Sequence, residues 1–489
     1  MTTAASALTD PTDPPPAGAA PAAEPPSHPW RWLILGIVLT AEIMDLLDST
    51  IITIAAPVIR GDLGAGASAM QWWAAGYTLA FGVLLIVGGR LGDVFGRRRM
   101  FLVGMAGFTL ASAACALAPS AGALIATRAV QGAFGALLIP QGLGIIKQVF
   151  PPSQLGAAFA AFGPVMGIAA IAGPILGGWL AGADLLGTGW RMVFLINLPV
   201  GIAGLLLALR FVPESKSPNA VKLDWLGVLL IGAASLALIY PLVQGREEGW
   251  PGWIFGLLAL GVLLLGLFAL VERSGRGTPL IEPSLLRNRA FRGGLLFGLV
   301  FFAGFTGMML VFSVFLQLGL GFSAEHTGLT FAPMSLGAAI GAGGSYPLMA
   351  RFGRHVLHTG LVLGVAAMVA LALIIGAQGA DTTSWALAGP LLVYGIGMGF
   401  VFGPFFNVVL AGVDEHEVGS ASGTLTAIQQ LGGSAGIAVL ATLFFSLLDD
   451  GIASPDAAER TMLVAAALLA ASALVAFLLP REARMDEVH

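Results

Sequence analysis

Residues 32–59 read WLILGIVLTAEIMDLLDSTIITIAAPVI. As a helix the stretch is long enough to cross about 30 Å of hydrocarbon, yet it carries three acids, Glu42, Asp45 and Asp48. Spaced three residues apart, these share a face about 120° wide and rise about 9 Å along it. A carboxylate facing lipid costs several kcal/mol, so such a face turns to a cavity or a partner. Further apolar stretches follow near 69–89, 100–118, 122–148, 155–182, 191–211, 225–243, 251–271, 291–317, 325–350, 356–377, 384–411, 419–447 and 461–480. With the first they predict an all-α polytopic membrane protein of fourteen transmembrane helices. Strands are not needed, because apolar runs this long satisfy their backbone groups only as helices.

Composition agrees with that reading. Of the 489 residues 10% are charged, against about 25% in a soluble domain. Hydrophobic residues make up 57%, and the 68 glycines bring the apolar share to roughly 70%, where globular proteins have about 45–50%. A cytosolic enzyme and a disordered chain are both excluded. The net charge of −4 provides no basic surface for nucleic acid. Cys115 is the single cysteine, the six histidines fall in tails and loops, and neither a phosphate-cradling loop nor a His-Glu-x-x-His occurs. The chain reads as no enzyme, with no metal, no cofactor and no use of ATP. Arginine outnumbers lysine 20 to 3, a bias that with abundant Ala, Gly and Pro points to a GC-rich bacterium and hence to a bacterial cytoplasmic (inner) membrane.

Basic residues set the expected orientation. With both termini cytoplasmic, 18 Lys and Arg fall on the cytoplasmic side, and only Arg60, Arg191, Arg246 and Arg460 fall outside. Residues 1–29, with eight prolines and no Lys or Arg, read as a disordered cytoplasmic tail. A weak repeat sets the domains. The run Gly89–Arg97 follows the second helix and Pro347–Arg354 follows the tenth, both containing Phe-Gly-Arg. An offset of eight helices fits two six-helix halves, 30–212 and 290–480, with a linker and two extra helices inserted at 213–289 and a tail at 481–489. Repeated halves with a binding site between them are a feature of secondary transporters.

The buried charges carry the chemistry. Counted from Trp32, Asp45 and Asp48 stand about 20 and 24 Å above the cytoplasmic edge, and Arg128 on the fourth helix stands at about 21 Å. An arginine keeps its proton, so a buried one needs an anionic partner. Protonation of that partner would couple a proton to helix movement. In the loop after the second helix, Gly89 and Gly96 permit a sharp turn, and Asp93 can cap a helix start or pair with Arg97. The fifth helix holds Gly163-Pro164-Val165-Met166-Gly167 and Gly173-Pro174-Ile175-Leu176-Gly177-Gly178, spacings that allow close helix contact and a bend.

These residues carry a resemblance. Gly89-x-Leu91-x-Asp93-x-x-Gly96-Arg97-Arg98 resembles the signature loop of the major facilitator superfamily, and Leu124-x-x-x-Arg128-x-x-Gln131-Gly132 is similar to its fourth-helix motif. Gly173-Pro174-x-x-Gly177-Gly178 is similar to the fifth-helix motif of its antiporters. Leu47-Asp48-Ser49-Thr50 with Ala56-Pro57, Trp190-Arg191-x-x-Phe194-x-Ile196-Asn197-x-Pro199-x-Gly201, Asp224-Trp225-x-Gly227 and Ser420-x-x-Gly423 with Gln430-Leu431-Gly432-Gly433 resemble the fourteen-span drug:proton antiporter branch. The resemblance implies the major facilitator fold and alternating access driven by a proton gradient. It implies Asp48 as the first-helix acid, Asp93, Arg97 and Arg98 in a latching loop, and Gly173, Pro174 and Gly177 in the antiporter motif. Asp45 and Glu42 are acids beyond the motif, and Phe134 stands where a small residue is common.

A substrate cavity is expected between the halves. Its candidates are Trp72, Trp73 and Tyr77 in the second helix, Phe305, Met308 and Met309 in the ninth, Tyr394, Met398 and Asn407 in the twelfth, and Gln429 and Gln430 in the thirteenth. Aromatic and Met surfaces suit amphipathic ligands of varied shape. The leading expectation is a monomeric exporter of hydrophobic or amphipathic small molecules, a drug or an antibiotic, in exchange for protons. The alternative is a proton-coupled or facilitated transporter of an endogenous or secondary metabolite.

Overall fold

A computed structural model of the chain describes residues 28–160, 162–184, 187–216, 224–273, 281–410, 413 and 417–479. Of the expected tails over 1–29 and 481–489, residues 1–27 and 481–489 therefore lie outside the described residues, as do Lys222 and Arg276. The first helices are α1 (Arg31–Leu63), α2 (Ala67–Phe95), α3 (Arg97–Ala116), α4 (Ala121–Val149), α5 (Pro152–Ala160), α6 (Phe162–Gly182), α7 (Met192–Leu195) and α8 (Asn197–Phe211). Two follow alone, α9 (Trp225–Gln244) and α10 (Gly252–Arg273). The remainder are α11 (Pro283–Arg287), α12 (Arg289–Val314), α13 (Ala324–Thr330), α14 (Ala332–Phe352), α15 (His355–Gln378), α16 (Ser384–Leu410), α17 (Val418–Asp449) and α18 (Ser454–Val475). No strand occurs among the described residues.

Eleven helical segments among the described residues are long and apolar enough to cross a membrane, which makes the chain a multi-pass membrane protein. The expected spans over 32–59, 155–182 and 325–350 are not among the eleven. Glu42, Asp45 and Asp48 dilute the first, and small Gly, Ala, Ser and Pro residues dilute the last, which falls on α13–α14; the second falls on α5–α6, where part of the stretch lies outside the described residues. Helix ends also differ from expectation. The last helix begins at Ser454 rather than near 461, because a proline in its first turn and Asp456 suit a helix start although neither is apolar. The first runs past 59 to Leu63, where Gly64 ends it in a left-handed conformation, φ 58°.

Two sets of helices pack in the same way. α1 lies on α6 and α8, α2 on α4, and α3 on α4 and α8. Correspondingly, α12 lies on α17 and α18, α14 on α16, and α15 on α16 and α18. α9 and α10 pack mainly on each other, and α9 also touches α2 and α17. The two sets meet where α2 packs on α17, α6 on α13 and α14, and α1 on α12.

Polar contacts between the sets gather at the end marked by the α1–α2 turn. Gln317 Nε2 donates to the Ile54 carbonyl at 2.8 Å, and Thr442 Oγ1 donates to Gln71 Oε1 at 3.2 Å. The α9–α10 turn reaches both sets there. Glu247 Oε1 accepts from the Ser68 backbone N–H at 3.0 Å, while Arg246 Nη1 donates to Asp449 Oδ2 at 2.5 Å. At the same end Asp62 accepts from the Trp190 indole N–H at 2.7 Å and from Arg191 at 3.2 Å. The indole bond, with Arg191 beside it, holds the Asp62 carboxyl below the ordinary carboxylate range.

Candidate functional site

The acidic face of α1 turns toward α2, α3, α4 and α8, and the three acids meet different surroundings. Asp48 is sealed, 2% exposed. Its Oδ2 accepts from Arg128 Nη1, and its Oδ1 accepts from Gln131 Nε2 at 2.8 Å and Asn197 Nδ2 at 3.0 Å. Three donors from α4 and α8 thus converge on one carboxylate. Gln131 and Asn197 are also anchored by the Ser112 hydroxyl on α3, at 2.7 and 3.3 Å. The structure brings Asp48 and Arg128 together.

Arg128 is fully buried. Besides Asp48 it donates from Nη1 to Gln131 Oε1 at 2.7 Å and from Nε to the Trp73 carbonyl at 3.0 Å. Its guanidinium lies 4.3 Å from the centre of the Tyr77 ring, a cation–π contact. Nη2 is buried with no hydrogen-bond partner among the described residues. On its far side the Tyr77 hydroxyl donates to Asp45 Oδ1. Asp45 and Glu42, unlike Asp48, are only half-buried. Sequence reading placed Tyr77 among the substrate-lining candidates and gave Gln131, Ser112 and Asn197 no role at the acid. The available signal was spacing, since Gln131 follows Arg128 by one helical turn.

The loop between α2 and α3 forms a second site. Asp93 lies in the last turn of α2 and accepts from Arg97 Nε at 3.3 Å and Nη2 at 3.1 Å. Of the two possibilities left by the sequence, the Arg97 pair is the one formed. An acid at a helix C-terminus and an arginine at a helix N-terminus each oppose the helix dipole, so the pair offsets two unfavourable placements. Gly96 between them has φ 105°, and a Cβ there would stand 2.5 Å from Glu214 Oε1. Arg97 Nη1 continues to the Gly144 carbonyl of α4 at 3.1 Å, and Arg98 Nη2 reaches the Leu209 carbonyl of α8 at 2.5 Å. Asp93→Asn should leave the protein folded, because the pair is about one-third exposed, but should slow transport several-fold. Wild-type turnover by the purified variant would reduce the loop to a connector.

On α6, Gly173 and Gly177 lie against α1 just beyond Asp48. A Cβ on Gly173 would stand 2.3 Å from Thr50 Oγ1, and one on Gly177 would stand 3.1 Å from Ile51 Cα. Pro174 is buried in the same stretch; Gly89, expected in the turn, instead lies within α2, which continues to Phe95 and leaves the turn to Gly96 alone. The lining candidates divide by exposure. Trp73, Tyr77, Met308, Met309, Tyr394 and Met398 are buried, while Trp72, Phe305, Gln429 and Gln430 are half-buried. Phe305 stacks on Tyr394, ring centres 6.5 Å apart. The Asn407 side chain lies outside the described residues.

The family model of the Major Facilitator Superfamily matches residues 38–437. A probable actinorhodin transporter of Streptomyces coelicolor is 50% identical over 453 residues, 91% of this chain and 78% of that protein. A tetracenomycin C resistance and export protein of Streptomyces glaucescens is 34% identical over 86% of this chain and 77% of its own length. Among solved structures, an inward-facing, occupied bacterial homologue of the human lysosomal transporter Spinster superposes with a TM-score of 0.67. It is 16% identical and covers 93% of this chain and 97% of that one, a likeness of fold alone.

Proposed function

The chain belongs to the major facilitator superfamily, and from that premise we propose that it exports antibiotic-like small molecules in exchange for protons. It is a transporter and not an enzyme. The observation that supports proton coupling is a cluster of three acids on one face of α1, with Glu42 and Asp45 half-buried next to the sealed Asp48–Arg128 pair. A carboxylate cluster inside a membrane protein is costly to bury, and such clusters mark ion pathways and proton relays. The names of relatives at 34% and 50% identity, which speak of antibiotic transport, resistance and export, support the substrate class. The word export in one of those names equally supports a second reading, removal of an endogenous product.

The proposed architecture is two six-helix halves, 30–212 and 290–480, flanking two added helices at 213–289. The matched packing of the two helix sets, with α9 and α10 left over, supports it. Counted so, there are fourteen spans, both termini face the cytoplasm and the α2–α3 loop is cytoplasmic. The transporter works as a monomer in a bacterial cytoplasmic membrane, with protons and its substrate as its only partners and no cofactor. Reporter fusions after Gly245 should read external and fusions after Arg289 cytoplasmic. The opposite signals at both sites would overturn the orientation and the count. For the function itself, cells expressing the chain should accumulate less actinorhodin than cells without it, and a protonophore should abolish the difference. Lower accumulation that survives the protonophore would refute proton coupling.

A further inference from the structure

The proton-antiport reading leaves open which acid takes the proton. Resting on that reading, we infer that Asp45, held by Tyr77, is the group that exchanges it, and that Asp48 stays a permanent anion holding Arg128. The geometry separates the two acids. Both oxygens of Asp48 are occupied by donors, three in all, and the group is sealed from open space. A proton placed there would have to displace one of those donors and would leave Arg128, fully buried, without its counter-charge. Asp45 receives one donor, the Tyr77 hydroxyl, on Oδ1 and is half-buried. Its other oxygen, Oδ2, receives no donor among the described residues.

The transfer is simple in its balance. A hydronium ion reaching Asp45 gives up one O–H bond, Asp45 gains one, and the carboxylate becomes a neutral acid; release on the opposite side reverses both changes. The groups facing Asp45 are few. Glu42 and Asp48 lie on its own helix, Tyr77 on α2 and Arg128 on α4. α6 and α7 contain no titratable residue, and the charged residues of α8, α12 and α13 are Arg210, Arg289, Arg292, Glu325 and His326, near the ends of those helices or in the short α13.

Neutralising Asp45 changes what Arg128 faces. When Asp45 is charged the guanidinium stands near two anions, with Nη2 lacking a hydrogen-bond partner among the described residues. When it is neutral, Asp48 alone competes for Arg128. Tyr77 lies between the two charges, against the Arg128 guanidinium on its ring and Asp45 on its hydroxyl. Tyr77 also belongs to a packed cluster that includes Ala427 of α17. The proton is therefore taken up beside the α2–α17 contact, where the two helix sets meet.

Infrared difference spectra of the full protein in lipid discs, titrated from about pH 9 to pH 5, read the acid directly. A protonated-carboxyl band should grow as the pH falls and shift with carbon-13 aspartate but not with carbon-13 glutamate. It should be lost in Asp45→Asn and have a displaced midpoint in Tyr77→Phe. Survival of the band in Asp45→Asn, a shift with labelled glutamate, or an unmoved midpoint in Tyr77→Phe would overturn the assignment. Flux of actinorhodin in vesicles separates this inference from the reading beneath it. If wild-type flux follows an imposed pH gradient, Asp45→Asn should lose at least about 90% of it. Gradient-driven flux at the wild-type rate in Asp45→Asn overturns the inference alone. Wild-type flux blind to the gradient overturns the antiport reading, and the infrared result then still decides which acid titrates.

Discussion

Asp48→Asn should destabilise the protein by about 3–5 kcal/mol, the range for removing one partner of a buried ion pair, and should abolish transport. Two physical effects combine. Arg128 loses its counter-charge in a fully buried position. The substituted amide then offers one oxygen to three donors, Arg128, Gln131 and Asn197, and its NH2 group must face one or two of them. An unmet donor in such a place adds its own desolvation cost. Arg128→Ala should cost less than Asp48→Asn, because Gln131 and Asn197 still donate to Asp48. Replacing both, as Asp48→Asn with Arg128→Gln, should recover part of the stability, since no net charge is then buried at the pair. Thermal unfolding of the purified variants checks the order. Wild-type stability in Asp48→Asn would mean that the pair is not closed to water, and would remove the ground for treating Asp48 as a fixed anion.

Much of this was legible in the sequence, and the reason lies in charge. A membrane chain can bury few charged residues, so Asp48 and Arg128 stood out against their apolar helices, and a rise of 1.5 Å per residue placed them at one depth. The neutral polar members did not stand out. Gln131, Asn197 and Ser112 complete the Asp48 site, but an amide or hydroxyl in an apolar helix is inexpensive enough to occur anywhere. Tyr77 was legible only as an aromatic, because the direction of its hydroxyl depends on how α1 and α2 cross. Helix ends were blurred for a similar reason. The start of α18 at Ser454 is set by capping and dipole preferences, to which an apolar count is blind. The Asp93–Arg97 pair was foreseeable from its i, i+4 spacing. The anchorage of Arg97 to Gly144, and of the neighbouring Arg98 to Leu209, joins segments more than forty residues apart and could only come from the fold.

The other large effect expected of the proposed antiport is a dependence of export on a proton gradient. One pH unit is worth about 1.4 kcal/mol per proton. A one-proton exchanger under a gradient of two units can therefore hold a substrate ratio of up to about 100. A facilitated carrier, by contrast, moves substrate only until the two sides are equal. Three acids lie on one helix face, with Asp45 and Glu42 half-buried and Asp48 sealed against Arg128, and the proposed exchange would use them. A protonophore should thus remove the uphill component and leave equilibration.

The most direct measurement uses everted membrane vesicles, cytoplasmic face outward, with an acidic interior and actinorhodin added outside. The account predicts uptake to a concentration well above the external one, collapsing to equality when the gradient is dissipated. Uptake at the same rate and to the same level with no pH difference across the membrane would contradict it.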